Sequence, residues 1–385
     1  IKFRWEEEFK ETEIGEIPRD WEVRRIGSKE FQILPSGIEF FQGVKEYLST
    51  SSVQYNEIVE IEDFITFGKR PSRANMQPVE NSVWFARMIN SPKFLLADED
   101  IIKNKILSTG FLGIQTKEKA SAYYLYFYVQ TKEFQEYKDS YVTGAVQESL
   151  TNEMATNLLV PYPPLPEQVR IATVLSYFDD LIENKKKQNE ILEKTAMAIF
   201  KSWFIDFEPF KDEEFVYNEE LGMEIPKGWE VKGLGRIAEI IMGQSPPSKF
   251  YNEEGKGFLF IQGKGQFGKY TPITNVFCSM PAKICKPGDI LITVRAPVGE
   301  LNIADREYVI GRGVASLRSI YYEYLYLFLQ SHNELLKSYE RGTTYEAITK
   351  EELEIFPILI PPSENIQSFQ SFVSPIFQKI LLNQK

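Results

Sequence analysis

Few residues in this chain of 385 could do reactive chemistry, and their spacing argues against catalysis. His332 is the single histidine, set in Gln330-Ser331-His332-Asn333-Glu334. A Ser-His-Asp triad or a multi-histidine metal site therefore cannot be assembled unless this one ring does all the work. Cys278 and Cys285 are the only cysteines. Two thiols make neither a disulfide framework nor a metal cluster, so buried structural thiols in a reducing cytoplasm are expected. Gly263-Lys264-Gly265-Gln266-Phe267-Gly268 spells the dinucleotide fingerprint, and Asp289 follows about twenty residues on. That fingerprint needs a helix start to meet the pyrophosphate, and Lys269-Tyr270-Thr271-Pro272 is a poor one, so a glycine-rich hairpin is predicted. Gly68-Lys69-Arg70 and Gly268-Lys269-Tyr270 lack the Ser/Thr that holds magnesium in a phosphate-binding loop. An Asn/Asp-Pro-Pro-aromatic tetrad for adenine methylation is missing as well. The expectation is a non-catalytic chain with no metal or cofactor of its own.

The elements that would position any site come in duplicate. Ile17-Pro18-Arg19-Asp20-Trp21-Glu22-Val23 returns as Ile225-Pro226-Lys227-Gly228-Trp229-Glu230-Val231, and Tyr124-Leu125-Tyr126 returns as Tyr324-Leu325-Tyr326. Gly144-Ala145-Val146-Gln147-Glu148-Ser149-Leu150-Thr151 is echoed by Gly342-Thr343-Thr344-Tyr345-Glu346-Ala347-Ile348-Thr349, and the copies close on Pro163-Pro164 and Pro361-Pro362. A period near 200 residues is that of a domain plus an accessory element, too long for a solenoid. Within each copy β structure is prominent, as in Asp289-Ile290-Leu291-Ile292-Thr293-Val294-Arg295, with Gly and Pro punctuation. The aromatic run 321–329 suits strand or buried helix, with helix preferred. Ala86-Arg87 and Val294-Arg295 match between copies; an arginine so placed is either structural or a shared phosphate contact.

Between the copies the rhythm changes. From 166 to about 207 there is no glycine and no internal proline, and Ile171, Leu175, Phe178, Ile182, Leu192, Ala196, Ile199 and Trp203 fall at four-three steps. This is a coiled-coil pattern, and about 40 residues make a rod on the order of 60 Å. Pro166 and Glu167 suit its first turn. Lys185 and Asn189 occupy intervening seam positions, either fixing register or merely interrupting the seam. Phe369, Val373, Ile376 and Ile380 repeat the rhythm after the second Pro-Pro, with Pro375 expected to kink this shorter helix or delay its start. Ile171, Leu175, Phe178 and Ile182 are expected to pack antiparallel against it.

Pro163-Pro164-Leu165-Pro166-Glu167-Gln168, the long helix, and Phe200-Lys201-Ser202-Trp203-Phe204-Ile205-Asp206-Phe207-Glu208-Pro209 resemble the central conserved region of a type I restriction–modification specificity subunit. The Ile-Pro-x-x-Trp-Glu-Val lead-ins fit the same family, and the resemblance spans essentially the whole chain. It implies an α+β fold: two repeated mixed α/β target-recognition domains rich in β structure, in a pseudo-two-fold arrangement separated by long antiparallel coiled-coil helices. The implied boundaries are a first recognition domain at 1–162, the central helix at 163–208, a second recognition domain at 209–360 and a short distal helix at 361–385. It further implies that each domain reads half of a bipartite double-stranded DNA target. Two methyltransferase subunits would dock near the helices and restriction subunits would join, with S-adenosylmethionine and ATP bound only on those partners.

Local loops carry the side chains such reading needs. Lys69, Arg70, Ser72, Arg73 and Asn75 crowd one loop of the first copy. Gln244, Ser245, Ser248 and Lys249, then Gln262, Lys264, Gln266 and Lys269, lie in two loops of the second. Arg87, Arg295 and Arg312 are further candidates. Gln and Asn pair bidentately with adenine and Arg or Lys with guanine; the alternative for each is an ordinary polar loop. A net charge of −11 is awkward for meeting phosphates, so basic surfaces must be local or supplied by partners. No apolar run approaches the roughly 18 residues of a membrane span, and the first twenty residues are charged, so neither anchor nor signal peptide is expected. Two rivals remain: a hydrolase with paired carboxylates, although no acidic pair stands out, and an adhesion protein on a coiled-coil stalk.

Overall fold

In the computed structural model, which describes residues 9–142, 149–338 and 347–384, the repeat in the sequence is a repeat of sheets. Two compact units result, Ile1–Leu181 and Ile182–Lys385. Each holds an antiparallel four-stranded sheet in the same order. In the first unit the order is Phe94–Leu96, Ser82–Ala86, Phe111–Gln115, Gln32–Ile33. In the second it is Leu301–Ile303, Ile290–Thr293, Val314–Arg318, Glu239–Met242. The central strands Ser82–Ala86 and Ile290–Thr293 are buried along their whole length, which is why they read as continuous apolar runs. Gly113 lies opposite Trp84 in register, and a β-carbon there would come within 2.4 Å of the indole. A glycine inside a strand thus makes room for the largest side chain of the core.

A second sheet in each unit contains one parallel pair, Lys45–Leu48 with Lys105–Ser108 and Phe258–Ile261 with Tyr308–Ile310. The duplicated Ile-Pro segments form the second strands of hairpins, Gly15–Pro18 and Met223–Pro226. The strands that follow, Glu22–Arg25 and Glu230–Gly233, pair with Leu159–Tyr162 and Pro357–Ile360 just before each Pro-Pro. Both aromatic runs are helices, Lys119–Val129 and Tyr322–Ser331. Their echoed tyrosines do the same work: Tyr124 donates to Pro161 O at 2.8 Å and Tyr324 to Leu359 O at 2.5 Å. Segments 144–148 and 342–346 lie outside the described residues.

The central helix is unbroken over Leu165–Phe204, 40 residues, and the distal helix over Ser363–Asn383, 21 residues. Gln168 at the start of the central helix is buried and donates to Pro163 O at 2.8 Å, fixing the turn out of the strand. Pro375 neither delays the distal helix nor ends it. Val373 and Phe377 on either side of it are buried, and that burial outweighs the missing hydrogen bond.

The two helices run antiparallel, since Asn189 meets Ile380 and Asn383 while Phe200 and Trp203 meet Phe369. The partners differ from the expected ones, however. Leu175, Phe178 and Ile182 are 37, 59 and 50% exposed, and Ile171 is half-buried against the first unit's core. The distal helix instead covers Ala196, Phe200 and Phe204 with Ile366, Phe369, Val373 and Phe377. Ile376 is only half-buried, its expected place taken by Phe377, while Ile380 is buried and Leu192 half-buried. The reason is register: the last turn of the distal helix stands opposite Lys185 and Asn189.

That register is held by a polar layer. Buried Asn189 donates to Ile380 O at 3.2 Å, a carbonyl in the last turn of the distal helix, and accepts from Asn383 Nδ2 at 2.8 Å. Lys185 Nζ donates to Asn383 Oδ1 at 3.1 Å. No described helix is long and apolar enough to cross a membrane. Asn189→Ala should lower the stability of the second unit by about 1–3 kcal/mol, because the Ile380 carbonyl loses its side-chain donor and the Asn383 amide its nearer acceptor. The measurement is the urea midpoint of that unit. Replacing Asn189 and Asn383 together with Leu should recover most of the loss.

Candidate nucleic-acid interface

In the second unit the polar loops converge on a groove of about 560 Å³ lined by Gln244, Ser245, Ser248, Tyr251, Gln262 and Arg312. Backbone hydrogen bonds tie its loops together. Gly243 N donates to Val314 O at 2.9 Å, Gln244 N to Ile310 O at 2.9 Å and Gly311 N to Ile261 O at 2.7 Å. A β-carbon on Gly243 would lie 2.1 Å from Gly311 O, and one on Gly313 would lie 2.3 Å from Gln262 O. These glycines let three strand ends approach closely. Ser245 Oγ accepts from Arg312 N at 3.1 Å, tying the first loop to the last. With the backbone fixed in this way, Gln244, Ser248, Gln262 and Arg312 remain exposed along the groove. Two carboxamides, a hydroxyl and a guanidinium can form bidentate pairs with base edges or contact phosphates. Lys249 flanks the groove with its ammonium 5.1 Å from the Phe250 ring.

The glycine hairpin next to this groove has different work. Residues 264–266 form a single 3-10 turn, and Phe267 bridges back to Pro272, so the fingerprint opens no helix. Gln266 Oε1 accepts from Gln262 N at 3.1 Å and Gly263 N at 3.2 Å, holding the backbone of a groove residue. Lys264 is ion-paired with Glu300, and Lys269 with Glu190 at 2.9 Å. As placed, Lys264, Gln266 and Lys269 brace the loop, and the groove lining comes from other residues.

In the first unit Arg70 folds back on its own loop. Its Nε donates to Ala74 O at 3.2 Å, another guanidinium nitrogen donates to Phe67 O, and the group lies 4.9 Å from the Phe67 ring centroid. Lys69, Ser72 and Arg73 are exposed and Asn75 is half-buried. Arg73 O accepts from Thr109 N at 2.9 Å, which places this loop just before strand Phe111–Gln115. Arg312 stands just before the corresponding strand, Val314–Arg318. Each unit therefore displays cationic side chains at the same end of its four-stranded sheet.

The paired arginines part company. Arg87 donates to Phe111 O at 3.1 Å, Leu150 O at 2.9 Å and Asn152 Oδ1 at 2.7 Å. Burial pulls its pKa below the usual arginine value. Its fork is engaged inside the first unit by these three acceptors, the structural of the two readings. Arg295 is exposed. His332 stacks on Phe328 at 4.1 Å, and its Nδ1 lies 2.9 Å from Phe328 O, a packing role. Cys278 and Cys285 are buried and unpaired, and burial pushes the Cys285 thiol up to about 12. Sequence reasoning placed Gly243 at the head of its loop but missed Tyr251 in the lining and the closely packed Gly311 and Gly313 beside it. The Gly311-Arg312-Gly313 triplet was the available signal.

The type I restriction modification DNA specificity domain matches residues 18–194 and 226–385. The chain belongs to that family. Type I specificity subunits of Methanocaldococcus jannaschii are similar to it end to end. The MjaIX specificity subunit is 35% identical over 415 residues, covering 100% of this chain and 93% of the relative. The putative MjaX specificity subunit is 33% identical over 414 residues, with the same coverage. The solved S subunit of the M. genitalium type I system has the same fold, with a TM-score of 0.58 at 16% identity, over 94% of this chain and 91% of that one.

For this specificity subunit, Gly243→Ala should destabilise the second unit by about 1–3 kcal/mol through backbone overpacking, because the neighbouring atoms are carbonyls that cannot rotate away. Gln244→Ala, one residue on and exposed, should leave the unfolding midpoint within about 0.5 kcal/mol of wild type. Thermal unfolding of the two variants side by side checks both.

Proposed function

We propose that this specificity subunit reads a bipartite double-stranded DNA target, one half per repeated unit, on behalf of methyltransferase and restriction subunits that carry the catalytic chemistry. The observation that carries the reading is the duplication of the display: the same sheet, presenting exposed cationic side chains before the same strand, built twice in one chain. S-adenosylmethionine and ATP belong on the partner subunits, in keeping with the missing methylation tetrad.

The exposed apolar face of the central helix, Val174, Leu175, Tyr177, Phe178, Leu181 and Ile182, is the surface we assign to methyltransferase docking. A contiguous patch of this kind on a soluble partner-binding chain marks an interaction site. The overall charge of −11 is accommodated by local cations at the reading surfaces and by phosphate contacts on the partners.

The test is methylation by the assembled complex across a library randomised in both half-sites. Arg312→Ala should cost about 1–3 kcal/mol of discrimination in one half if it pairs with a base, or weaken all sequences and flatten the salt dependence if it meets phosphate. Arg73→Ala should act on the other half. Exchanging residues 236–341 for those of a relative should replace one half-site outright. A shift of both halves together would refute independent reading.

A further inference from the structure

The glycine hairpin of the second unit is fastened on one side to the reading groove and on the other to the central helix. On the groove side, Gln266 holds the backbone of Gln262 and Gly263. Across the middle, Asn302 Nδ2 donates to Gly268 O at 2.9 Å and Ile303 N to Tyr270 O at 2.9 Å, so the hairpin is stitched to the neighbouring strand. On the helix side, the Tyr270 hydroxyl donates to Glu193 Oε2 at 2.9 Å. The other oxygen, Glu193 Oε1, accepts from Gln330 Nε2 at 3.0 Å, at the end of the aromatic helix. Lys269 reaches Glu190 at 2.9 Å. Glu190 and Glu193 are three residues apart and so neighbours on one face of the helix.

Glu193 is therefore a two-armed acceptor. One oxygen holds the hairpin that braces the groove, and the other holds the helix that carries the core of the unit. Tyr270 is buried, and burial followed by its bond to Glu193 raises its pKa, so the phenol stays a donor. A surface ion pair such as Lys269–Glu190 adds little by itself; the half-buried carboxylate of Glu193 with two neutral donors is the fixed point.

We propose that Glu193 is a positioning residue that sets where the second reading groove stands along the central helix, and so governs the spacing tolerated between half-sites, leaving the bases read unchanged. The inference rests on the bipartite reading above. Glu193 is hydrogen-bonded to Tyr270 and Gln330, neither of which lines the groove, and its influence passes through Tyr270, Gly268 and Gln266 to Gln262. The arrangement also predicts which substitution is silent. Gln330 Oε1 has no partner among the described residues. In Glu193→Gln the Gln330 amide can turn over to accept from the new amide, while Tyr270 still donates to the remaining carbonyl.

The experiment is methylation by the full complex on a library in which both half-sites are fixed and the spacer length varies. Glu193→Ala should keep its base preference in both halves while the ratio of preferred to neighbouring spacer lengths falls roughly 3- to 10-fold, the worth of a hydrogen bond. Tyr270→Phe should give part of this loss and add nothing to Glu193→Ala. Glu193→Gln should stay near wild type. An unchanged spacer profile in a Glu193→Ala chain that unfolds and assembles like wild type overturns the proposal, as does altered base preference. If wild type shows no two-part target, the bipartite reading falls. Hydrogen exchange at residues 263–271 of the isolated chain then decides the clamp: faster exchange in Glu193→Ala supports it and unchanged exchange removes it.

Discussion

The second half of this molecule depends on a nest of aromatic rings around Phe204. Its ring lies 4.8 Å from Tyr324, 4.9 Å from Phe369 and 6.0 Å from Trp229, the first two edge to face. Those partners come from the aromatic helix, the distal helix and the duplicated lead-in segment. Rings in such geometry contribute beyond the area they bury. The end of the central helix is thus a core element of a recognition unit, continuous with its hydrophobic interior. A helix whose last turns are core cannot rotate without unmaking the sheet beneath it, so the direction of the helix and the orientation of the groove are set by one packing solution.

Along the same helix pair, chemistry changes in steps. Aromatic packing at Phe200 and Phe204 gives way to a buried amide layer at Asn189 and Asn383, and beyond it the apolar face of the central helix is open. A polar layer of this kind contributes less to stability than an apolar one would, but it admits a single alignment, since any shift of a turn strands the amides. Greasy contacts alone would tolerate sliding by a heptad.

Repeats and periodicity made much of this legible in the sequence. The lead-in segments, the echoed tyrosines and the long glycine-free stretch were enough to place two similar units and the helices. The antiparallel sense of the helices also followed. Their register did not, because a four-three rhythm fits several alignments, and the choice rests on Asn189 finding Ile380 O and Asn383. Loop chemistry was legible as composition and opaque as geometry. Lys264, Gln266 and Lys269 are cations and a carboxamide, as polar as Gln244, Gln262 and Arg312, yet Glu300, Glu190 and two backbone amides engage them. Arg87 illustrates the same limit: its acceptors come from residues 24, 63 and 65 positions away, a closure that no local pattern announces.

The close glycine packing at the groove bears on how this chain can change. The groove's shape is written in main-chain atoms at Gly243 and Gly313, where even a methyl group collides with a carbonyl, and at Gly311, where one would crowd the Phe260 ring. The exposed letters set into it, Gln244, Ser248, Gln262 and Arg312, bear on the fold chiefly through their backbones, and exposed substitutions of this kind usually shift stability by no more than about 0.5 kcal/mol. The mould and the type it holds are separable. A population of such chains can exchange the type freely while the mould stays intact, so new preferences can arise one side chain at a time without passing through an unfolded ancestor.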